Sequence, residues 1–213
     1  NDIAVMPIYK DFVEKYYEDG FSTNTNEDYW KKSPFANRMK VKFDLFKRFG
    51  YIAAAGDRHL AEFCPPKWYL ADNECVKEDF LFRLTPVSWR KNEFSEKLAK
   101  RARIVSGEEK FEFKETGEDG VNQVRALLGL HTFVTNVNLP NRGQIPNLPL
   151  GAVVETNAIF RTAEVTPVMA GEIPTEIYPL VSKICSEQEA VSDAIAKRDA
   201  KRDIDRAMKE RTR

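Results

Sequence analysis

The sequence predicts an α+β fold in which helices outnumber strands, and three observations carry that prediction. Apolar residues recur at helical spacing in several separate stretches, Pro7–Tyr17, Met39–Phe49 and Glu93–Val105 among them. Two shorter apolar runs, His131–Val137 and Val153–Phe160, read as strands on either side of a proline- and glycine-bearing loop. Among the 213 residues, 42% are hydrophobic and 11% aromatic, which suffices for a packed core.

In chain order, Ile8, Phe12, Val13, Tyr16 and Tyr17 define the first helix, with Gly20 as its stop. The polar stretch FSTNTNEDYWKKSP (21–34) is predicted as a loop. Met39, Phe43, Phe46 and Phe49 give a second amphipathic helix that ends at Gly50. The short apolar segment Tyr51–Ala55 then places Gly56-Asp57-Arg58-His59 in a strand-to-turn setting. Residues 64–92 read as irregular, because of Pro65, Pro66 and Pro86. Glu93–Val105 follows as a helix, residues 106–118 as a charged loop with a short strand, and Val121–Leu128 as another helix. After the two strands, Pro174–Ser186 is helical, and Glu187 to the end is a long charged helix with few apolar anchors. With no internal repeat and no low-complexity linker, one domain is expected.

Charge and cysteine usage narrow the function classes. The 33 basic and 33 acidic side chains balance, so no whole-chain field draws the protein to nucleic acid. No stretch approaches the ~18 apolar residues that a membrane span needs. The first residues lack the basic region and cleavage site of a signal peptide, and there is no initiating Met, so the chain is expected to begin inside a longer protein. Cys64, Cys75 and Cys185 are an odd, scattered set that suits a reducing cytoplasm better than a disulfide framework. His59 and His131 are too far apart in sequence to suggest a local zinc motif.

Three stretches carry the chemistry. GDRHLAEF (56–63) offers a carboxylate, a guanidinium, an imidazole and a second carboxylate, a set able to hold a polar ligand and move a proton. On spacing alone the plainer reading is a surface turn with an Asp57–Arg58 or Arg58–Glu62 ion pair. NVNLPNRGQIPNLP (136–149) presents Asn138, Asn141, Arg142, Gln144 and Asn147 on a backbone stiffened by proline. Such planar polar groups suit sugar hydroxyls, and equally suit a connection whose asparagines satisfy its own turns. In TPVSWR (85–90), Trp89 can stack on a sugar ring and Arg90 can grip a carboxylate, against the plainer reading of a core Trp beside a surface Arg.

Taken together, VKFDLFKRFGYIAAAGDRHLAEFCP (41–65), LTPVSWR (84–90), NVNLPNRGQIPNLPLGAVVETNAIF (136–160) and VMAGEIP (168–174) resemble the family-four glycoside hydrolases. The resemblance runs over residues 5–200, and GDRHLAEF is most similar to the α-galacturonidase branch, then to the α-galactosidase branch. It implies the mixed-helix C-terminal domain, with a small, mainly antiparallel sheet, that follows a Rossmann domain in the family. Residues 1–213 are then expected to be that domain, without the NAD-binding half and cut short at the C-terminal end.

The resemblance also implies chemistry unlike that of two-carboxylate glycosidases. NAD oxidises C3 of the sugar, a base takes the acidified C2 proton beside a divalent metal such as manganese, and the glycosidic oxygen leaves by elimination. The family's NAD- and metal-binding residues lie upstream, so neither group is expected on this chain alone. Phospho-sugar branches use a tyrosine as the base. No tyrosine lies inside GDRHLAEF and Tyr51 is expected in the core, so Asp57 is the expected base. Arg58, His59, Trp89, Arg90, Asn141 and Arg142 are the expected contacts to a galacturonide or galactoside. A cytoplasmic homo-oligomer completes the expectation. A non-catalytic carbohydrate-binding or assembly module with the same fold is the alternative, and a plain helical interaction protein is a more distant one.

Overall fold

A computed structural model of the chain describes residues 5–72, 74–113 and 117–197. Its contacts divide the chain into two compact units, Asn1–Glu112 and Phe113–Arg213, where the sequence reads as one domain. The division falls in the charged stretch after residue 106.

The first unit opens with α1 (Val5–Tyr16) and a turn closed by Gly20, whose N–H donates to Tyr16 O at 2.8 Å. Gly20 has φ +67°, and a Cβ there would strike the carbonyl of Arg38. The predicted loop contains a single helical turn, α2 (Tyr29–Lys32), which buries Trp30. α3 (Lys40–Phe49) runs as the periodicity predicts and buries Val41, Phe43, Leu45 and Phe46. Gly50 ends it in the left-handed conformation. Tyr9, Phe12, Tyr16 and Phe21 pack around Val13, Phe43 and Phe46 to form one core.

The next segment departs from expectation. Tyr51–Ala55 forms no strand, and Tyr51 is exposed instead of being core. No strand edge pairs with this run among the described residues, and its Ala54 carbonyl accepts from Lys42 Nζ instead. GDRHLAEF is correspondingly a helix, α4 (Asp57–Phe63), with Gly56 extended at its N-cap. α5 (Pro66–Tyr69) follows, and β1 (Val76–Lys77) pairs antiparallel with β2 (Phe82–Arg83). Val41, Leu45, Ala61, Cys64, Tyr69 and Phe82 make the second core of this unit. The helix expected from Glu93 begins six residues earlier, as α6 (Val87–Ser106). Pro86 stands just before its first turn, so TPVSWR is a helix start and not irregular chain. None of the residues of α6 is buried, and Phe94, Leu98 and Val105 are among those exposed.

In the second unit α7 (Gly120–Leu127) precedes an antiparallel sheet ordered β3 (Phe133–Pro140), β4 (Val153–Arg161), β5 (Glu164–Pro167). The last strand was not expected. Leu127, Phe133 and Val137 pack with Ala126, Ala158 and Phe160 to form the core on one side of the sheet. The predicted break at Ser186 is absent, and α8 (Tyr178–Lys197) is one helix. The charged stretch expected to continue it, residues 198–213, lies outside the described residues. No strand forms in the described part of 106–118. No helix of the described residues is long and apolar enough to cross a membrane.

Candidate active site

The cluster begins where α3 and α4 meet. Met39, the N-cap of α3, makes no side-chain capping bond, so the first N–H groups of that helix need an acceptor from elsewhere. Asp57 provides it. Lys42 N–H donates to Asp57 Oδ1 at 3.1 Å, and the Val41 and Lys40 N–H groups add to the pull toward the charged form. Asp57 has 0% exposure, and its Oδ2 is buried with no partner among the described residues. Burial lifts the carboxyl from its ordinary 3.8 to about 6, against the pull of the α3 N–H groups and the Lys42 charge. One oxygen is thus anchored and the other is unengaged.

Arg58 turns into the same unit and is itself buried. Its Nη1 donates to Pro34 O at 2.7 Å and to Thr85 Oγ1, and the guanidinium lies 5.0 Å from the centre of the Phe35 ring. Its Nη2 lies 3.0 Å from His59 Nε2. A guanidinium can only donate, so in this arrangement Nε2 is the acceptor. The ring proton is then on Nδ1, which faces Glu62 Oε2 at 3.2 Å. The motif therefore forms an ordered line, Arg58 to His59 to Glu62, in place of the Asp57–Arg58 ion pair that its spacing allows. The imidazole is about half exposed, with 47% of its side chain open to solvent.

Phe35 extends the line to α6. Its ring meets Trp89 edge-on at 5.4 Å, and Arg90 stands over Trp89 at 5.6 Å. Trp89 and Arg90 share the first turn of α6, so the helix start sets Trp89 against the Phe35 ring and Arg90 over Trp89. Asp57, Arg58, His59, Trp89 and Arg90, all expected at a site, thus come together. Phe35, at 59% exposure, and Thr85 join them without having been expected. The available signal for Phe35 was an aromatic residue in an otherwise polar loop. Thr85 lay inside a motif read only for its aromatic and its cation.

The second unit holds Asn141 and Arg142. Asn141 is buried, and its Nδ2 donates to the carbonyls of Ile145, Leu148 and Pro149 at 2.9–3.1 Å. Its Oδ1 accepts from Gly143 and Ile145 N–H. Gln144 accepts from Arg142 N–H and donates to Pro140 O, and Asn147 exchanges two bonds with the Ile173 backbone. Of the amide groups expected to meet sugar hydroxyls, Asn141, Gln144 and Asn147 are thus engaged in holding the loop itself. Arg142 faces solvent, as does Asn138 on β3.

Among the described residues, no group of three or more His, Cys, Asp or Glu side chains could hold a metal ion. Cys64 is buried with its thiol pushed up to about 11 by burial, which suits packing and not ligation. The described residues by themselves do not fit a divalent metal.

Residues 1–212 match the Family 4 glycosyl hydrolase C-terminal domain. The chain is 53% identical over 198 residues to the α-galacturonidase of Thermoanaerobacterium saccharolyticum, covering 93% of this chain and 42% of that protein. With the α-galacturonidase of Bacillus subtilis it shares 43% identity over 192 residues, 90% of this chain and 42% of the relative. An α-galactosidase of the same organism is more distant, at 28% over 142 residues, 66% of this chain and 32% of the relative. The crystal structure of a Bacillus subtilis protein described as a glucosidase, lplD, superposes with TM-score 0.85 at 40% identity over 97% of this chain and 46% of its own. A 6-phospho-α-glucosidase from gut microorganisms, crystallised with NAD and Mn2+, shares the fold at TM-score 0.59 and 15% identity, over 91% of this chain and 42% of its own. The chain thus spans less than half the length of these relatives. With its length matched almost end to end and half its aligned positions shared with an α-galacturonidase, the chain belongs to the family 4 glycosyl hydrolases, within their C-terminal domain.

Proposed function

We propose that this chain forms the sugar-facing part of an α-galacturonidase that works with NAD and a divalent metal. The observation that carries the reading is the continuous line from buried Arg58 through Phe35 and Trp89 to Arg90, with His59 alongside. Aromatic rings suit the faces of a sugar, and exposed guanidinium groups suit the planar carboxylate that distinguishes a uronic acid from a neutral hexose. Arg58 is occupied inside the unit, so Arg90, and Arg142 in the second unit, are the better-placed partners for that carboxylate. Identity to α-galacturonidases over most of the chain supports the same substrate class.

Asp57 is the proton acceptor in this reading. An anchored Oδ1 and a carboxyl lifted to about 6 suit a base working near neutral pH. Its complete enclosure favours a second assignment, in which half-exposed His59 meets the substrate and Asp57 only shapes the frame. Enclosure equally favours the wider alternative of a non-catalytic carbohydrate-binding module. Asn141 serves by holding the loop that carries Arg142. The free thiols support a cytoplasmic setting, and the exposed apolar side of α6 supports homo-oligomerisation or packing against an NAD-binding half.

Galacturonic acid and galactose, titrated separately into the chain and followed by NMR, test the substrate class. Galacturonate is expected to move the Trp89 indole and His59 ring resonances, galactose far less, and Arg90→Ala to erase the difference. Equal responses to both sugars would remove the uronate assignment. Release of galacturonate by the parent protein, supplied with NAD and manganese, separates the enzyme from the binding module.

A further inference from the structure

Among the described residues, three buried side-chain polar atoms of the first unit have no hydrogen-bond partner: the hydroxyl of Tyr9, Oδ2 of Asp57 and, on β2, Nε of Arg83. The first is a donor and the second an acceptor. Tyr9 projects from α1 and meets the Phe46 ring edge-on at 4.9 Å. Phe46 lies one helical turn beyond Lys42, whose N–H holds the other oxygen of Asp57. The two groups feel each other electrostatically, since the Tyr9 hydroxyl is pushed up first by burial and then by the Asp57 charge. Buried donors and acceptors rarely go unsatisfied, because each loses its water without replacement. Of the two unsatisfied donors, Tyr9 is the one that packs against α3, the helix whose Lys42 N–H holds Asp57, whereas Arg83 extends from β2 and reaches Lys31 O.

We infer that Tyr9 is the positioning residue of Asp57: its hydroxyl donates to Oδ2, across a small ring rotation or through one bridging water, so that both carboxyl oxygens are held. The groups around the carboxyl are then Tyr9 from α1, Lys42 with the N–H groups of Lys40 and Val41 from α3, and its neighbours Arg58 and His59 on α4. A hydrogen bond to the ionised form favours ionisation. Tyr9 therefore opposes the burial that lifts Asp57, and keeps the carboxyl chargeable inside a closed core. The inference gains its catalytic meaning from the proton-acceptor role proposed above, but it is measured in this chain without sugar, so the two stand or fall separately.

The test is a carbon-13 NMR titration of the Asp57 carboxyl, identified by its loss in Asp57→Asn. Tyr9→Phe keeps the ring against Phe46 and removes only the donor. The midpoint in Tyr9→Phe is expected on the order of one pH unit above that of the wild-type chain. In the unaltered chain the Tyr9 Cζ resonance is expected to inflect at the Asp57 midpoint, and to run flat there in Asp57→Asn. An unchanged midpoint in a folded Tyr9→Phe chain overturns the inference. Should that variant fold poorly, a flat Tyr9 Cζ titration in the wild-type chain overturns it as well. Failure of galacturonate to bind leaves both readouts intact.

Discussion

Asp57 closes the N-terminus of α3 from fifteen residues away, taking the Lys42 N–H on Oδ1 at 3.1 Å. The native state that encloses this carboxyl binds its proton more tightly than the unfolded chain does, since the folded value of about 6 exceeds the ordinary 3.8. The group's contribution to stability is therefore complete below about pH 4 and is lost as pH rises through about 6. The gap corresponds to about 3 kcal/mol. Asp57→Asn keeps an acceptor on the α3 N–H groups and removes the titration. Urea unfolding at a series of pH values should show this variant gaining on wild type by up to about 3 kcal/mol between pH 4 and 7. A difference that does not vary with pH would contradict the enclosed geometry.

The choice between Asp57 and His59 as base is open to a direct measurement in the parent protein. Exchange of the substrate's C2 proton with deuterium reports the abstraction step. Asp57→Asn is expected to slow it by orders of magnitude, with NAD binding unaffected, while His59→Gln is expected to act mainly on KM. The reverse pattern transfers the role to His59.

Arg58 and Arg90 should separate structure from recognition. Arg58→Ala strands the buried Pro34 carbonyl and the Thr85 hydroxyl and removes the cation from the Phe35 face. The expected loss of stability is about 3 kcal/mol. Arg58→Lys should recover little, because one ammonium cannot reproduce the fork. Arg90 is exposed, and Arg90→Ala should leave unfolding within about 0.5 kcal/mol of wild type. In the parent protein it should weaken galacturonide kcat/KM by roughly 2–4 kcal/mol, and a neutral galactoside much less. If Arg90→Ala and Arg142→Ala both affect the two substrates equally, neither arginine reads the carboxylate.

Asn141→Ala removes an amide that donates to three carbonyls and accepts from two N–H groups. A loss of about 2–4 kcal/mol is expected, together with faster hydrogen exchange at Gly143 and Ile145. Unchanged exchange at those two amides would show that the loop is held by its prolines instead.

The outward apolar side of α6 should be sticky. Phe94, Leu98 and Val105 lie within three turns of one another, all exposed. Light scattering of the chain is expected to show self-association, and the Phe94→Glu, Leu98→Glu pair to reduce it. A monomer at high concentration that binds no hydrophobic dye would contradict this.

Much of the fold was legible because periodicity reports which faces are buried. α1, α3, α7 and the β3–β4 hairpin lie close to where their patterns put them. Tyr51–Ala55 misled because a run of small apolar residues does not reveal whether a partner edge exists. β5 was missed because four residues are too few to show a period. At the site, motif composition located the chemistry but not its allocation. Asp57 could not be read as the cap of α3 from local sequence, since its partners come from another helix. Asn141 and Gln144 look alike whether they point at a ligand or back into their own loop. Phe35, which joins α4 to α6, belongs to no motif at all.

The closed loop around Asn141 has a consequence for Arg142. The ordering entropy of its backbone is met when the chain folds, before any ligand arrives, so a carboxylate that binds this guanidinium has only one side chain left to immobilise. The mount and the group it carries are also separable. Replacing Arg142 removes a solvent-facing head and leaves every bond of Asn141, Gln144 and Asn147 in place. The position can therefore exchange one ligand preference for another while the loop beneath it keeps its shape.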